Sequence, residues 1–149
     1  MKAAVRQAEK GIANGHGGPF GCVIVKDDKI IGRGHNQVLK KNNPTLHGEM
    51  VALASASRHL GTYDLSDCDM YTTGEPCPMC LGATMWANIR NIYYGCSVKD
   101  TEKIGFRDCK FDKVMTIDRA RLTNLFQIDQ EACLELYKKY NKIKGRIIY

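Results

Sequence analysis

The 149-residue chain has no apolar run that approaches a membrane span, no internal repeat, no low-complexity tract and no signal-like apolar stretch near its N-terminus. These absences argue against a membrane protein, a repeat array or a disordered linker, and they set the expectation of a cytoplasmic protein with no membrane partner. A second C-x-x-C is also missing, as is any H-x-x-x-H, so no regular four-ligand set for a structural zinc knuckle can be assembled. The seven cysteines are odd in number and irregular in spacing, and a chain of this size does not need covalent staples. A disulfide framework is therefore not expected, and a reducing compartment is.

What is present is ordinary for one globular domain: 44% apolar and 26% charged residues, enough chain to bury a single core. The net charge is +6, with much of the excess in Lys138, Lys139, Lys142, Lys144 and Arg146. A solvated helix face is the simpler reading of that cluster than a nucleic-acid patch.

Hydrophobic periodicity predicts a helix over residues 2–14, an antiparallel hairpin with strands at residues 20–25 and from residue 30, and a helix carrying His47. A short strand at 68–72 leads to a second short helix at Cys77, with Leu81, Met85 and Trp86 expected in the core. A strand at 91–95, a polar functional loop running through Asp108, a final strand at 114–117 and a helix at 128–143 follow, the last with Leu134, Tyr137 and Ile143 facing inward. Strands alternating with helices predict one mixed sheet covered on both faces. Cys22, Cys68 and Cys96 fall in or beside strands and are read as small core residues. His16, His35 and His59 are read as surface or turn residues.

Two short motifs carry the chemistry. Thr73-Gly74-Glu75-Pro76-Cys77-Pro78-Met79-Cys80 puts two thiols at i and i+3, the spacing that shares one helix face. Pro78 suits the first helical position, where its missing N–H costs nothing. Leu46-His47-Gly48-Glu49 adds an imidazole and a carboxylate two apart, which meet only off the end of a helix. By itself Cys77-Cys80 could equally be a redox pair or half of a knuckle. Joined with His47 it gives three ligands for a zinc ion and an open fourth position, which is the arrangement of a catalytic rather than a structural site. Glu49 is then free to act on whatever binds there.

The pattern H-x-E followed by P-C-x-x-C is shared with the zinc deaminases. With Gly18-Pro19-Phe20-Gly21, Gly34-His35-Asn36, Pro44-Thr45-Leu46-His47-Gly48-Glu49 and Glu75-Pro76-Cys77-Pro78-Met79-Cys80-Leu81-Gly82-Ala83, the chain resembles the nucleobase-deaminase branch of the cytidine deaminase-like superfamily, and within it the bacterial guanine deaminases. The resemblance implies an α/β fold: a three-layer α-β-α sandwich on a mixed five-stranded sheet, here as a single domain spanning residues 1–149. It implies Zn2+ on His47, Cys77 and Cys80, with Glu49 as the proton-transferring residue and Asp108 as a second site acid that reads the base edge.

It further implies that Phe20 stacks on a purine, Asn36 hydrogen-bonds it, and the terminal Tyr149 completes the site of a partner in a homodimer with exchanged C-terminal segments. Glu131 matches a second acidic residue of the family's last helix. The reaction so implied is hydrolytic deamination of a free base, guanine to xanthine and ammonia. Two neighbouring readings stay open: a tRNA adenosine deaminase shares the chemistry, and Gly32-Arg33-Gly34-His35-Asn36 with Leu46 and Gly48 also resembles fungal cytosine deaminase. A non-catalytic zinc module would not need Glu49.

Overall fold

Asp27 and Asp28 stand at φ 47° and 59°, the left-handed backbone that a two-residue hairpin turn requires. Strand β1 (Gly21–Lys26) therefore folds straight back as β2 (Lys29–His35), with Lys26 paired to Lys29. In the computed structural model, which describes residues 1–115 and 123–149, three further strands extend this hairpin: β3 (Asp69–Gly74), β4 (Asn91–Cys96) and β5 (Asn124–Gln127). The order is β2-β1-β3-β4-β5, with β1 antiparallel to β3, and β3, β4 and β5 mutually parallel. The expected mixed five-stranded sheet is present.

Strand alternation sends Cys22, Ile24, Met70 and Ile92 into one apolar cluster. There they pack against Ala52, Leu53 and Ala56 of α3 (Gly48–Leu60) and Leu81 of α4 (Pro78–Trp86). α1 (Lys2–Ala13) lies on β1 and β2, while α7 (Gln130–Asn141) lies on β4 and touches α1. Cys133, Tyr137 and Tyr140 of α7 form a second cluster with Cys96, Ile104 and Phe106, against which Val5 and Ile12 of α1 pack. The other helices among the described residues are short: α2 (Val38–Lys41), α5 (Val98–Lys103) and α6 (Asp108–Met115). The result is helices on both faces of one sheet, the three-layer α/β sandwich. Among the described residues no helix is long and apolar enough to cross a membrane.

The close seating of α3 on β2 sets the position of His47. A Cβ on Gly34 would lie 2.2 Å from the Gly48 carbonyl oxygen and 2.5 Å from the Ala52 nitrogen, both backbone atoms that cannot step aside. Gly34→Ala should therefore lower stability by about 1–3 kcal/mol, the usual cost of overpacking, and shift α3 relative to the sheet. Chemical denaturation of native and variant chains reads this directly, and an unchanged midpoint would show that the helix has slack.

Several sequence expectations change. The segment after β4 is not a loop: Ser97 and Asp100 form a reciprocal capping box that starts α5, and Asp108 opens α6. Val114 and Met115 belong to α6 and not to a strand; residues 116–117 of that expected strand lie outside the described residues. The last strand is β5 instead, too short and too exposed to announce itself by alternation.

Trp86 is 86% exposed and Met85 is also exposed, because α4 buries Pro78, Cys80, Leu81 and Thr84. At 100° per residue Trp86 points away from that stripe, whereas Met85 lies between Leu81 and Pro78 on it and is nonetheless exposed in the last turn of the helix. Ile143 lies beyond the end of α7 and is exposed, whereas Tyr137 is buried as expected. His35 is buried as well, its Nε2 2.8 Å from His16 Nδ1. Cys22, Cys68 and Cys96 are free and in the core.

Candidate metal centre and substrate pocket

α3 and α4 both begin at one point, beyond the C-terminal end of β3. His47 is the N-cap of α3 and Cys77 the N-cap of α4, each with extended backbone, and neither side chain caps its own helix. Both are thus free to turn outward. Pro78 occupies the first turn of α4, as expected, and Cys80 follows one turn from Cys77. Two positive helix ends converge here, which favours thiolate at the cysteines.

His47 Nδ1 lies 3.6 Å from Cys77 Sγ and 3.6 Å from Cys80 Sγ, and all three donor atoms fall within 4.8 Å of one another. Zn–S and Zn–N bonds of about 2.3 and 2.0–2.1 Å at the tetrahedral angle give an N···S edge of about 3.6 Å. The donor set therefore fits zinc in both chemistry and spacing. Among the described residues it is the one cluster of this kind, and it offers three ligands, leaving a fourth position open.

The protonation of the metal-free centre follows from its crowding. A hydrogen bond from the Cys80 thiol outweighs burial and, with His47, brings Cys77 down to about 4. Cys80 is pushed up in turn by giving that bond and by burial. Burial would lower His47, but its bond to Cys77 and the charge of Glu49 raise it to about 9. At neutral pH Cys77 is thus a thiolate, while His47 and Cys80 each hold a proton that zinc must displace. Zinc uptake at pH 7 should release about two ligand protons, and apparent affinity should rise with pH, up to about a hundredfold per unit between pH 6 and 8. Calorimetry in buffers of different ionisation enthalpy counts the protons; a count near one would remove His47 or Cys80 from the ligand set, and a count near zero both.

Glu49, in the first turn of α3, is only 5% exposed. Burial lifts its carboxyl to about 7, opposed by His47 and reinforced by Cys77. The Thr72 hydroxyl on β3 donates to its Oε1 at 3.3 Å. Nothing in the sequence singled out Thr72, which lies 23 residues from Glu49 in the chain.

The centre opens into a cavity of about 370 Å³ lined by Phe20, Asn36, His47, Glu49, Cys77, Asp108 and Tyr149. Every site residue expected from sequence except Glu131 borders the centre or this cavity. Cys80 lies behind the cavity, fully buried, and Glu131 is exposed in the first turn of α7. Phe20 meets Phe106 edge to face at 4.8 Å between centroids, and Phe106 meets Tyr149 the same way at 5.5 Å. Pro44, Glu75, Met79, Phe106, Arg107 and Phe111 also line the cavity and were not foreseen as a set. Glu75 ties the metal loop to α5, its Oε2 accepting the Val98 N–H at 3.0 Å. The tail lies over its own chain's pocket: the Tyr149 hydroxyl bonds Gly18 and Asn36, Tyr140 bonds the Ile147 carbonyl, and Arg146 the Ile104 carbonyl.

A three-ligand zinc site beside a buried carboxylate, facing an aromatic pocket at the strand ends of an α/β sheet, defines a zinc-dependent hydrolase. Residues 1–96 match the cytidine and deoxycytidylate deaminase zinc-binding region, and the chain belongs to that deaminase family. It is 48% identical to the guanine deaminase of Bacillus subtilis over 108 residues, 72% of this chain and 69% of that protein. It is 40% identical to a tRNA-specific adenosine deaminase of Streptococcus pyogenes over 119 residues, 80% of this chain and 72% of that protein. Among solved structures, the guanine deaminase from Nitrosomonas europaea superposes with a TM-score of 0.82 at 27% identity, covering 95% of this chain and 82% of that one.

Proposed function

We propose that this deaminase acts on a free nucleobase, guanine, exchanging its amino group for oxygen to give xanthine and ammonia. The observation that carries this reading is the C-terminal tail folded over the pocket, with Tyr149 bonded to Asn36 beside the metal centre. That closure suits a small planar ring held between Phe20, Asn36 and Tyr149 better than it suits an anticodon stem. Likeness to guanine deaminases in sequence and structure supports the same substrate. The tRNA adenosine reading rests on the 40% relative and on the net charge of +6. Ammonia release measured across guanine, cytosine, adenine, guanosine and a tRNA anticodon stem decides between them: fastest release from guanine supports the proposal, and from any other substrate overturns it.

His47, Cys77 and Cys80 would hold the zinc, which when bound supplies Lewis-acid activation of water. Glu49 serves as the proton carrier. Its Oε atoms take one proton from water as the water oxygen bonds the carbon that bears the amino group, and pass it to the ring nitrogen beside that carbon; they then carry the second proton from the added oxygen to the amine, whose C–N bond breaks to release ammonia. Burial raises the Glu49 carboxyl above its ordinary range, which suits a group that must both accept and give a proton. Asp108, opening α6 at the pocket wall, would read the base edge, and Phe20 would offer a ring to stack on it.

The proposal includes a homodimer in which the tails exchange. Ile147 and Ile148 are exposed on the single chain, and a partner surface would cover them. A zinc-loaded chain lacking its last three residues should lose activity on guanine and regain it when mixed with Glu49→Gln protein, since a hybrid dimer joins an intact Glu49 to an intact tail. No recovery on mixing would assign the tail to its own chain.

A further inference from the structure

Asn36 is 1% exposed, yet among the described residues its Nδ2 meets no hydrogen-bond partner. The orientation of its amide is dictated by donors. The Val38 N–H can only donate, and it reaches Oδ1 at 3.1 Å. The Gly18 N–H likewise can only donate, and it reaches the Tyr149 hydroxyl at 2.9 Å. The proton of that hydroxyl is therefore directed to Asn36 Oδ1, 2.5 Å away. Burial, against the bond from Gly18, raises the phenol's pKa and keeps that proton in place. With Oδ1 occupied by two donors, the amide cannot turn over without facing N–H against N–H. The neighbouring backbone leaves no room to relax: a Cβ on Gly17 would lie 2.1 Å from Asn36 Oδ1 and 3.0 Å from the Tyr149 hydroxyl.

We infer that Tyr149 is a positioning residue that acts through Asn36: the relay Gly18 to Tyr149 to Asn36 holds the amide with its N–H group toward the pocket, so the site selects a base with a hydrogen-bond acceptor at that edge. Such an acceptor is a carbonyl oxygen or a pyridine-type ring nitrogen. A base without one leaves a buried donor unpaired, and sites of that kind reject the deficient analogue more sharply than they reward the proper one. The inference rests on the guanine reading for its substrate; guanine carries acceptors of both kinds. The relay works in the same way whether the tail belongs to the same chain or to a partner.

The test compares the zinc-loaded full chain, Tyr149→Phe and Asn36→Asp on guanine and on its 7-deaza, 3-deaza and 6-thio analogues, by turnover or, where an analogue is not turned over, by inhibition. Tyr149→Phe keeps the ring against Phe106 and removes only the hydroxyl. It should raise KM for guanine roughly tenfold, with a smaller change in kcat, the size of one hydrogen bond set loose. One analogue should already bind the native chain about tenfold more weakly, and on that analogue Tyr149→Phe should add little further. Asn36→Asp keeps an oxygen for Val38 and Tyr149 but replaces the donor by an acceptor, so it should weaken guanine more than Tyr149→Phe does. An unchanged KM for guanine in Tyr149→Phe, equal losses on guanine and every analogue, or native guanine binding by Asn36→Asp would each overturn the inference. Failure of the guanine reading shows separately, as absence of ammonia release from guanine by the native chain. The same variants are then compared on the base that is turned over and on its acceptor-deleted analogues.

Discussion

Glu49→Gln should yield a folded, zinc-loaded protein whose turnover of guanine falls by at least roughly 10²-fold, the lower end for a positioned acid–base group. The substitution isolates proton transfer. Gln is nearly the same shape, and its amide oxygen can still accept from Thr72, which now bonds Oε1 at 3.3 Å. It also removes the cost of keeping a carboxylate ionised in a buried position, the main reason its pKa climbs to about 7, so the variant should be no less stable than the native chain. What it cannot do is carry protons from water, one to the ring nitrogen of the base and one to the leaving amine. Zinc content, thermal midpoint and kcat/KM measured on one preparation separate these effects. Near-native turnover in a zinc-replete variant would remove Glu49 from the reaction.

Cys80→Ala should abolish stoichiometric zinc binding and, with it, turnover. The residue is fully buried at the start of α4, where two of three ligands cannot close a tetrahedral site around zinc. Stability should fall too, since the free energy of binding a metal to the native state alone adds to folding. Removing a buried sulfur also leaves a small void, so a lower midpoint by itself does not identify the metal. The discriminating observation is the gap in midpoint between zinc-replete and chelated protein. The native chain should show a gap of several degrees, and Cys80→Ala should show none. Full zinc occupancy by elemental analysis in the variant would mean the ligand set is wrong.

Both predictions concern residues that could be chosen before any coordinates, and the reason is local. An N-cap followed by a helical turn is specified by a few consecutive residues, so His47 with Glu49, and Cys77 with Pro78 and Cys80, carry their mutual geometry wherever the chain takes them. The hairpin β1-β2 was legible for the same reason, through a two-residue turn flanked by apolar runs. The expectation of a covered mixed sheet followed from strands alternating with helices. These are properties of short segments or of their order.

Other features depended on which surfaces meet. That α3 and α4 start at the same place follows from the order β2-β1-β3-β4-β5, which lays both helices on one face of the sheet, and no i, i+3 rule contains that order. Trp86 continued an apolar series in the sequence, but the stripe that α4 buries is set by Cys80, Leu81 and Thr84 against the sheet, and Trp86 falls on the far side. Thr72 reaches Glu49 only because the fold brings a residue of β3 to the first turn of α3. The raised Glu49 carboxyl is likewise tertiary, since desolvation depends on neighbours distant in the chain.

Tyr149 marks the boundary most clearly. With no partner near it in the chain it carries no structural signal, and resemblance alone pointed to it. Its role arises where a backbone N–H at Gly18, an amide at Asn36 and the ring of Phe106 meet, brought together from across the chain by the packing of α1 and α7 on one side of the sheet. The sequence by itself determined that His47, Cys77 and Cys80 could meet around one metal ion and that Glu49 would stand beside them, because helix termini are local. The pocket that decides which base they act on belongs to the tertiary structure, because hydrogen-bond direction and desolvation depend on groups far apart in the chain.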